Sequence, residues 1–302
     1  MWALSILIVL SLGFGAAISG HLRTTRNAID NARAEALADA GIQLAVLDLS
    51  GWRASPVREA RFSRDGRPLR CSLGNGDWLA IAVEDEVGKV DLNAADERLI
   101  VAALRGAGVA EGEAADLAQR ILDYRDSDDT RRPRGAEGPE YRDAGRPEPK
   151  NLPFDAIEEV EQVLGVAPGL AEALRPYATI YSGEVTINAD LASRRLVAAL
   201  SDGLDAQSAF DAAGSTIGTL SQAMGGMSQQ RGLTQITVAG GRAFRIVSQA
   251  RTAQGAVFVR EALVEFVANR PDAYLVRRWR KALTSDSRVI QESLAVSDSP
   301  PC

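Results

Sequence analysis

Residues 2–18 read Trp-Ala-Leu-Ser-Ile-Leu-Ile-Val-Leu-Ser-Leu-Gly-Phe-Gly-Ala-Ala-Ile, with no charge and only Ser5 and Ser11 polar. About seventeen residues at roughly 1.5 Å each span roughly 26 Å as a helix, close to the about 30 Å of a bilayer hydrocarbon core. The helical pattern does not stop there. Ala28, Ile29, Ala32, Ala36, Leu37, Ala40, Leu44 and Leu47 recur at spacings of three and four, with Arg23, Arg26, Asp30, Arg33, Glu35 and Asp39 between them. The expectation is one helix of about 45 residues, apolar all round in its first half and one-sided in its second. Such a helix can sit in a membrane by its first half. By its second it can pack on its own globular domain or on neighbouring helices.

Three roles fit this element: a cleaved secretory signal, a single-pass anchor, or the assembly helix of a pilin-like subunit. A signal peptide has a basic stretch before its apolar core and a break at a small-residue cleavage site. Nothing basic precedes Trp2, and the pattern runs on through Gly20. Pilin precursors carry a short charged leader ending in Gly, so the opening is expected to be that of a mature or trimmed chain or of a misplaced start. Arg23 and Arg26 just after the run would by themselves hold the C-terminal side in the cytoplasm, a conflict that a lost basic leader would remove.

Composition narrows the chemistry. With 302 residues the chain can form one or two domains. A net charge of −6 disfavours nonspecific binding to nucleic acid or anionic lipid. The lone histidine, His21, ends the apolar run and leaves no histidine-based catalytic or zinc site. Cys71 and Cys302 can form one disulfide in an oxidising compartment or remain two thiols.

Along the chain, residues 68–73 and 78–86 read as strands joined by a turn at Asn75-Gly76-Asp77. Asn93 is expected to cap a helix over 94–104, followed by a second helix over 113–124. Residues 123–150 are nearly all charge, Pro and Gly, which predicts no core element there. Asp155 is expected to cap a helix over 156–164, and Pro168 to open another over 169–174. Val90-Asp-Leu-Asn93 and Val185-Thr-Ile-Asn188 read as two similar entries from strand into Asn-capped helix. Helices are expected over 206–213 and 217–224, and strands over 233–238, 244–251, 256–267 and 274–281.

Strand signals on both sides of a helical block indicate an α+β fold, a long N-terminal helix on an antiparallel sheet with a large inserted all-helical domain. The expected parts are 1–50, the membrane and assembly helix; 51–90, the first part of the α/β domain; 91–183, the inserted domain, extending to about 232; 233–283, the rest of the sheet; and 284–302, a disordered tail.

The acidic loop is the strongest chemical signal. Asp123, Asp126, Asp128 and Asp129, then Glu137 and Glu140, place carboxylates at close spacing on an irregular backbone, which suits a hard cation such as calcium. The bland alternative is a solvated loop whose carboxylates pair with Arg125, Arg131, Arg132 and Arg134. The loop lacks the glycine and distal glutamate of an EF-hand. Residues 158–174 resemble a helix-hairpin-helix, which in nucleic-acid proteins offers backbone N–H groups to phosphate. Its flank, Glu158, Glu159 and Glu161, is acidic, so a structural hairpin is favoured.

Several motifs together resemble the K-type minor pseudopilin of the type II secretion system. They are Val90-Asp-Leu-Asn93; Ile121-Leu-Asp-Tyr-Arg-Asp-Ser-Asp128 with Gly135-Ala-Glu137 and Tyr141; Asn151-Leu-Pro-Phe-Asp155 with Glu158-Glu159; Leu164-Gly-Val; Leu174-Arg-Pro-Tyr177 with Thr179-Ile-Tyr181; and Ile187-Asn188-Ala189. The resemblance runs from the apolar helix to about residue 283. It implies a pilin-like subunit with an inserted helical domain, at the tip of a periplasmic pseudopilus, held with the I- and J-type minor pseudopilins. It also implies bound calcium in the helical domain, carried most directly by Asp126, Asp128 and Glu137 and less so by Asp123, Asp129 and Glu140. The family lacks the acidic residue early in the helix that receives the next subunit, and this chain has no Asp or Glu before Asp30. The expected role is non-enzymatic assembly in protein export, with the globular part in the periplasm. The competing expectation is a membrane-anchored, competence-like DNA-binding protein using the hairpin at 164–169.

Overall fold

A computed structural model describes residues 2–55, 60–200, 241–267, 270, 273–282 and 301–302, and the side chains of 3–22 are not described. The expected elements at 206–213, 217–224 and 233–238, and nearly all of the 284–302 tail, lie outside these residues. The chain divides into two units, residues 1–83, 245–264 and 269–302 in one and residues 84–244 and 265–268 in the other.

The first unit is organised by α1, Trp2–Ala54, one continuous helix. Ala34, Ala38, Gly41, Ile42, Ala45, Val46 and Leu49 are buried, a stripe at spacings of three and four. This differs from the stripe expected at 28–47. Ile29 is 65% exposed and Leu47 70%, while Ala28, Ala32, Ala36 and Ala40 are exposed too. The helix therefore carries two apolar stripes, and the small residues of the other one seat it on the sheet. Gly41 shows why: a Cβ there would stand 2.1 Å from Ser248 Oγ.

The sheet has the order β1-β2-β5-β6-β7, with β1 at Leu69–Gly74, β2 at Asp77–Asp85, β5 at Ala243–Arg251, β6 at Val257–Phe266 and β7 at Tyr274–Lys281. β1 and β2 are antiparallel about the turn at Asn75 and Gly76, both with positive φ, as a tight hairpin needs. Charged side chains pin the helix to the strands. Arg260 reaches Asp39 and Glu35, at 2.6 Å each, and Arg33 reaches Asp77 at 2.5 Å. Glu261 is held between Arg245 and Arg280. Cys71 and Cys302 are joined by a disulfide. Cys302 N–H donates to Ser72 O, and Arg61 donates to the carbonyls of Pro301 and Cys302. The last two residues of the expected disordered tail are thus fixed against β1.

The second unit packs α2, Glu97–Gly106, against α3, Glu111–Arg125, and α6, Arg194–Leu200. Ile100, Leu104, Leu117, Ile121 and Leu174 lie in its core. It is not all-helical: β3, Val90–Asp91, pairs in parallel with β4, Ala178–Thr179. Asp96, rather than Asn93, caps α2 through Leu99 N–H. Asn93 exchanges hydrogen bonds with Phe154 N–H and carbonyl instead, at 2.8 and 2.9 Å. Asn188 likewise accepts from Asp190 N–H and stands ahead of α6. An Asn after a strand favours local turns as readily as caps, and Asn188 takes the turn, whereas Asn93 is drawn into a contact distant in sequence. The segment expected as a helix over 156–164 is a 3-10 helix at Ile157–Gln162, and that expected over 169–174 is α5, Leu170–Leu174.

Candidate metal centre

Residues 123–150 do not behave as a wholly solvated loop. α4, Gly138–Asp143, forms inside them, and Tyr141 is fully buried, its hydroxyl accepting from Leu164 N–H. One aromatic in a polar stretch supplies the anchor that composition alone concealed. At the other end, Asn151 adopts φ 50°, its N–H donates to Tyr124 O, and Tyr124 stacks on Phe154. The acidic stretch is fastened at both ends and folded back on the end of α3.

Three of the six expected carboxylates gather there. Asp123, in the last turn of α3, is fully buried. Its Oδ1 accepts from Arg132 Nη1 at 2.5 Å and its Oδ2 from Arg132 N–H at 3.2 Å. The same Nη1 donates to Asp126 Oδ2 at 2.6 Å. Glu137 is 1% exposed, and neither of its carboxylate oxygens nor Asp126 Oδ1 has a hydrogen-bond partner. Burial, and then the charges of Asp123, Asp126, Asp129 and Asp128, push the Glu137 carboxyl up to about 7. Gly135 leaves room for this packing, since a Cβ there would stand 1.8 Å from Asp123 Oδ2.

The other three have local work. Asp128 accepts from Thr130 N–H, which holds its carboxyl below the usual range. Asp129 accepts from the Asn151 side chain. Glu140 accepts from Glu137 N–H and lies 3.4 Å from Arg131. Of the four arginines near the loop, Arg132 binds the buried carboxylates, Arg134 pairs with Asp116, and Arg125 donates to the carbonyls of Leu92 and Ala95. Among the described residues, no group of three His, Cys, Asp or Glu side chains stands ready-made to hold a metal. The donor set nonetheless fits a hard cation: every donor is an oxygen, and the buried Glu137 oxygens lack the positive charge or hydrogen bonds that burial calls for. Sequence spacing suggested six equivalent carboxylates; it carried no signal that Gly135 and Asn151 shape their surroundings.

The hairpin is also defined. Gly165 and Gly169 have positive φ, and Gly169 N–H donates to Glu161 Oε1 at 2.9 Å. Arg120 donates to Leu164 O. The backbone donor that a phosphate would need is taken by the chain's own carboxylate.

Comparison with known proteins gives a family match and structural neighbours. Residues 82–183 match the family model for protein K of the type II secretion system (T2SS). The whole fold is similar to a chain in the crystal structure of the GspK–GspI–GspJ complex from the enterotoxigenic Escherichia coli type 2 secretion system. That match has a TM-score of 0.55 at 17% identity, covering 86% of this chain and 99% of the other. No curated protein matches the sequence.

Proposed function

We infer that this chain, whose residues 82–183 match the model of the type II secretion system protein K family, is a minor pseudopilin serving protein secretion. The observation that carries this reading is the family match itself, because it falls on the segment that holds the acidic loop and its anchors. The pilin-like arrangement of helix and sheet agrees with it. The structural neighbour stands in a complex with GspI and GspJ, and on that pattern the partners here are the I- and J-type minor pseudopilins. The exposed stripe from Ile29 to Leu47 is the face offered to their helices.

The role is assembly, without catalysis. Residues 2–18 anchor the chain in the bacterial inner membrane in a single pass, with the globular part in the periplasm; the uncharged run in the sequence supports this. Among the described residues no helix is long and apolar enough to cross a membrane, and the side chains of the run lie outside them. Nothing in the fold favours the DNA-binding alternative, and the acidic flank of the hairpin opposes it.

The acidic stretch is a structural calcium site. Asp123 and Glu137 form its buried part, with Asp126 half-buried beside them and Asp128, Asp129 and Glu140 at its rim. Calcium would supply the positive charge and the many-oxygen coordination that buried carboxylates call for. The chain's own residues do the rest: α3 presents Asp123, Gly135 admits it, and Tyr141 and Asn151 hold the ends of the stretch in place.

Two experiments test this reading. Removing the protein from its native cell is expected to leave exported proteins in the periplasm, and unimpaired export would refute the secretion role. Melting the full chain in detergent, with calcium or chelator, is expected to show a saturable rise in Tm that Asp126→Ala or Asp128→Ala weakens. No shift at millimolar calcium would remove the metal site while leaving the family assignment intact.

A further inference from the structure

We propose that Arg132 is a tethered counter-ion of the acidic site, occupying it when no divalent cation is bound and displaced when one binds. The proposal rests on the calcium reading above. Asp123 and Glu137 are buried, with Asp126 half-buried beside them, and among the described residues one cation makes hydrogen bonds to Asp123 and Asp126. Arg132 Nη1 bridges Asp123 Oδ1 and Asp126 Oδ2, at 2.5 and 2.6 Å, as a small cation would bridge two monodentate carboxylates. One guanidinium cannot balance Asp123, Asp126 and Glu137. What it leaves over is visible, since Asp126 Oδ1 and both Glu137 oxygens are buried without partners. An unbalanced buried charge is costly, and a divalent ion adds the second positive charge that a guanidinium lacks.

The remaining arginines cannot substitute, being committed to Glu140, Asp116 and the carbonyls at the end of β3. Arg132 is free to leave. Its side chain is 34% exposed and sits on an irregular stretch, so rotation of its χ angles carries the guanidinium to water without disturbing α3. Its backbone N–H keeps its bond to Asp123 Oδ2 meanwhile, so the loop stays in register. The long arginine is therefore a built-in competitor. It keeps Asp123 and Asp126 from repelling each other before the ion arrives, and it lowers the apparent affinity for the ion that replaces it. Ion binding to this chain is an exchange of cations.

The test is calorimetric titration of the full-length chain in detergent with calcium chloride, paired with melting curves, for wild type, Arg132→Gln and Arg132→Lys. With the competitor removed, Arg132→Gln is expected to bind calcium about tenfold more tightly, the equivalent of one charge-assisted hydrogen bond. Its chelated form is expected to melt below wild type, and its saturated form level with wild type. Arg132→Lys, which keeps the charge, is expected to stay within a few-fold of wild type and covers the case in which Arg132→Gln fails to fold. If wild type binds calcium but Arg132→Gln binds equally or more weakly, or Arg132→Lys binds as tightly as an uncharged variant should, the exchange is refuted and the site stands. If neither wild type nor Arg132→Gln binds, the site itself fails, and the exchange with it.

Discussion

At the scale of single residues, the fold depends on places where two groups need the same space or the same charge. Gly135 is one. A methyl group there would overlap Asp123 Oδ2, and the neighbour is a buried side chain with little room to yield. Gly135→Ala is expected to cost about 2 kcal/mol, the usual scale of overpacking, read as a lower Tm of the chelated protein. Glu261 is another. Burial alone would raise its pKa, but Arg280 and Arg245 outweigh burial and hold the carboxyl at about 2, against an ordinary 4.5. A depressed folded-state value means stability that is present above pH 4.5 and lost as pH falls towards 2, amounting to about 3 kcal/mol. Acid titration of Tm should show this loss, and Glu261→Gln should flatten it. What the sequence announced at this scale was the supply of carboxylates. The ranking implied by the family resemblance put Asp128 ahead of Asp123, whereas the fold buries Asp123 and leaves Asp128 exposed, a difference that a list of residues does not carry.

At the scale of elements, the long helix is the most legible part of the chain and also the part most easily misassigned. Its existence followed from periodicity. Which stripe faced inwards did not, because alanines lie on both sides; the stripe of Ile29 and Leu47, open by sequence to its own domain or to neighbouring helices, is the outer one. The small residues win the inner face since they bring helix and strands close, as Gly41 against Ser248 shows. The outer stripe then has a clear test. Ile29→Asp with Leu47→Asp should leave the stability of the isolated protein within about 1 kcal/mol of wild type, since exposed substitutions usually change it by no more than about 0.5 kcal/mol each. Co-purification with the proposed I- and J-type partners should be lost; retention of the complex would move the contact elsewhere. The hairpin of β1 and β2 was equally legible, since Asn75-Gly76 is a strong turn signal. The boundaries of the short helices in the second unit moved by up to three residues. The largest shift is at the start of α2, where Asn93, expected as the cap, is taken by Phe154, a contact distant in sequence that no local pattern encodes.

At the scale of the whole molecule, the order of helix, strands, helical block and strands was readable because strand signals flank the block. The closure of that excursion was not readable, since two cysteines 231 residues apart give no hint by spacing that they meet. In the chain-entropy picture, a bond closing so long a loop is worth up to about 5 kcal/mol. Cys71→Ser is therefore expected to lower Tm markedly, more than any surface substitution, and a Tm equal to wild type would show that the pairing at Ser72 and Arg61 holds the end without it. The same bond has a mechanical meaning. From Cys71 onward the backbone is a covalent ring, so a single protease cut in the inserted block leaves one connected molecule. Pulled between its two ends, the chain can pay out only the roughly 70 residues before the ring, about 240 Å of extended chain, against about 1000 Å for an open polymer of this length. Under such a load the protein is a short tether fastened to a loop that the pull does not reach.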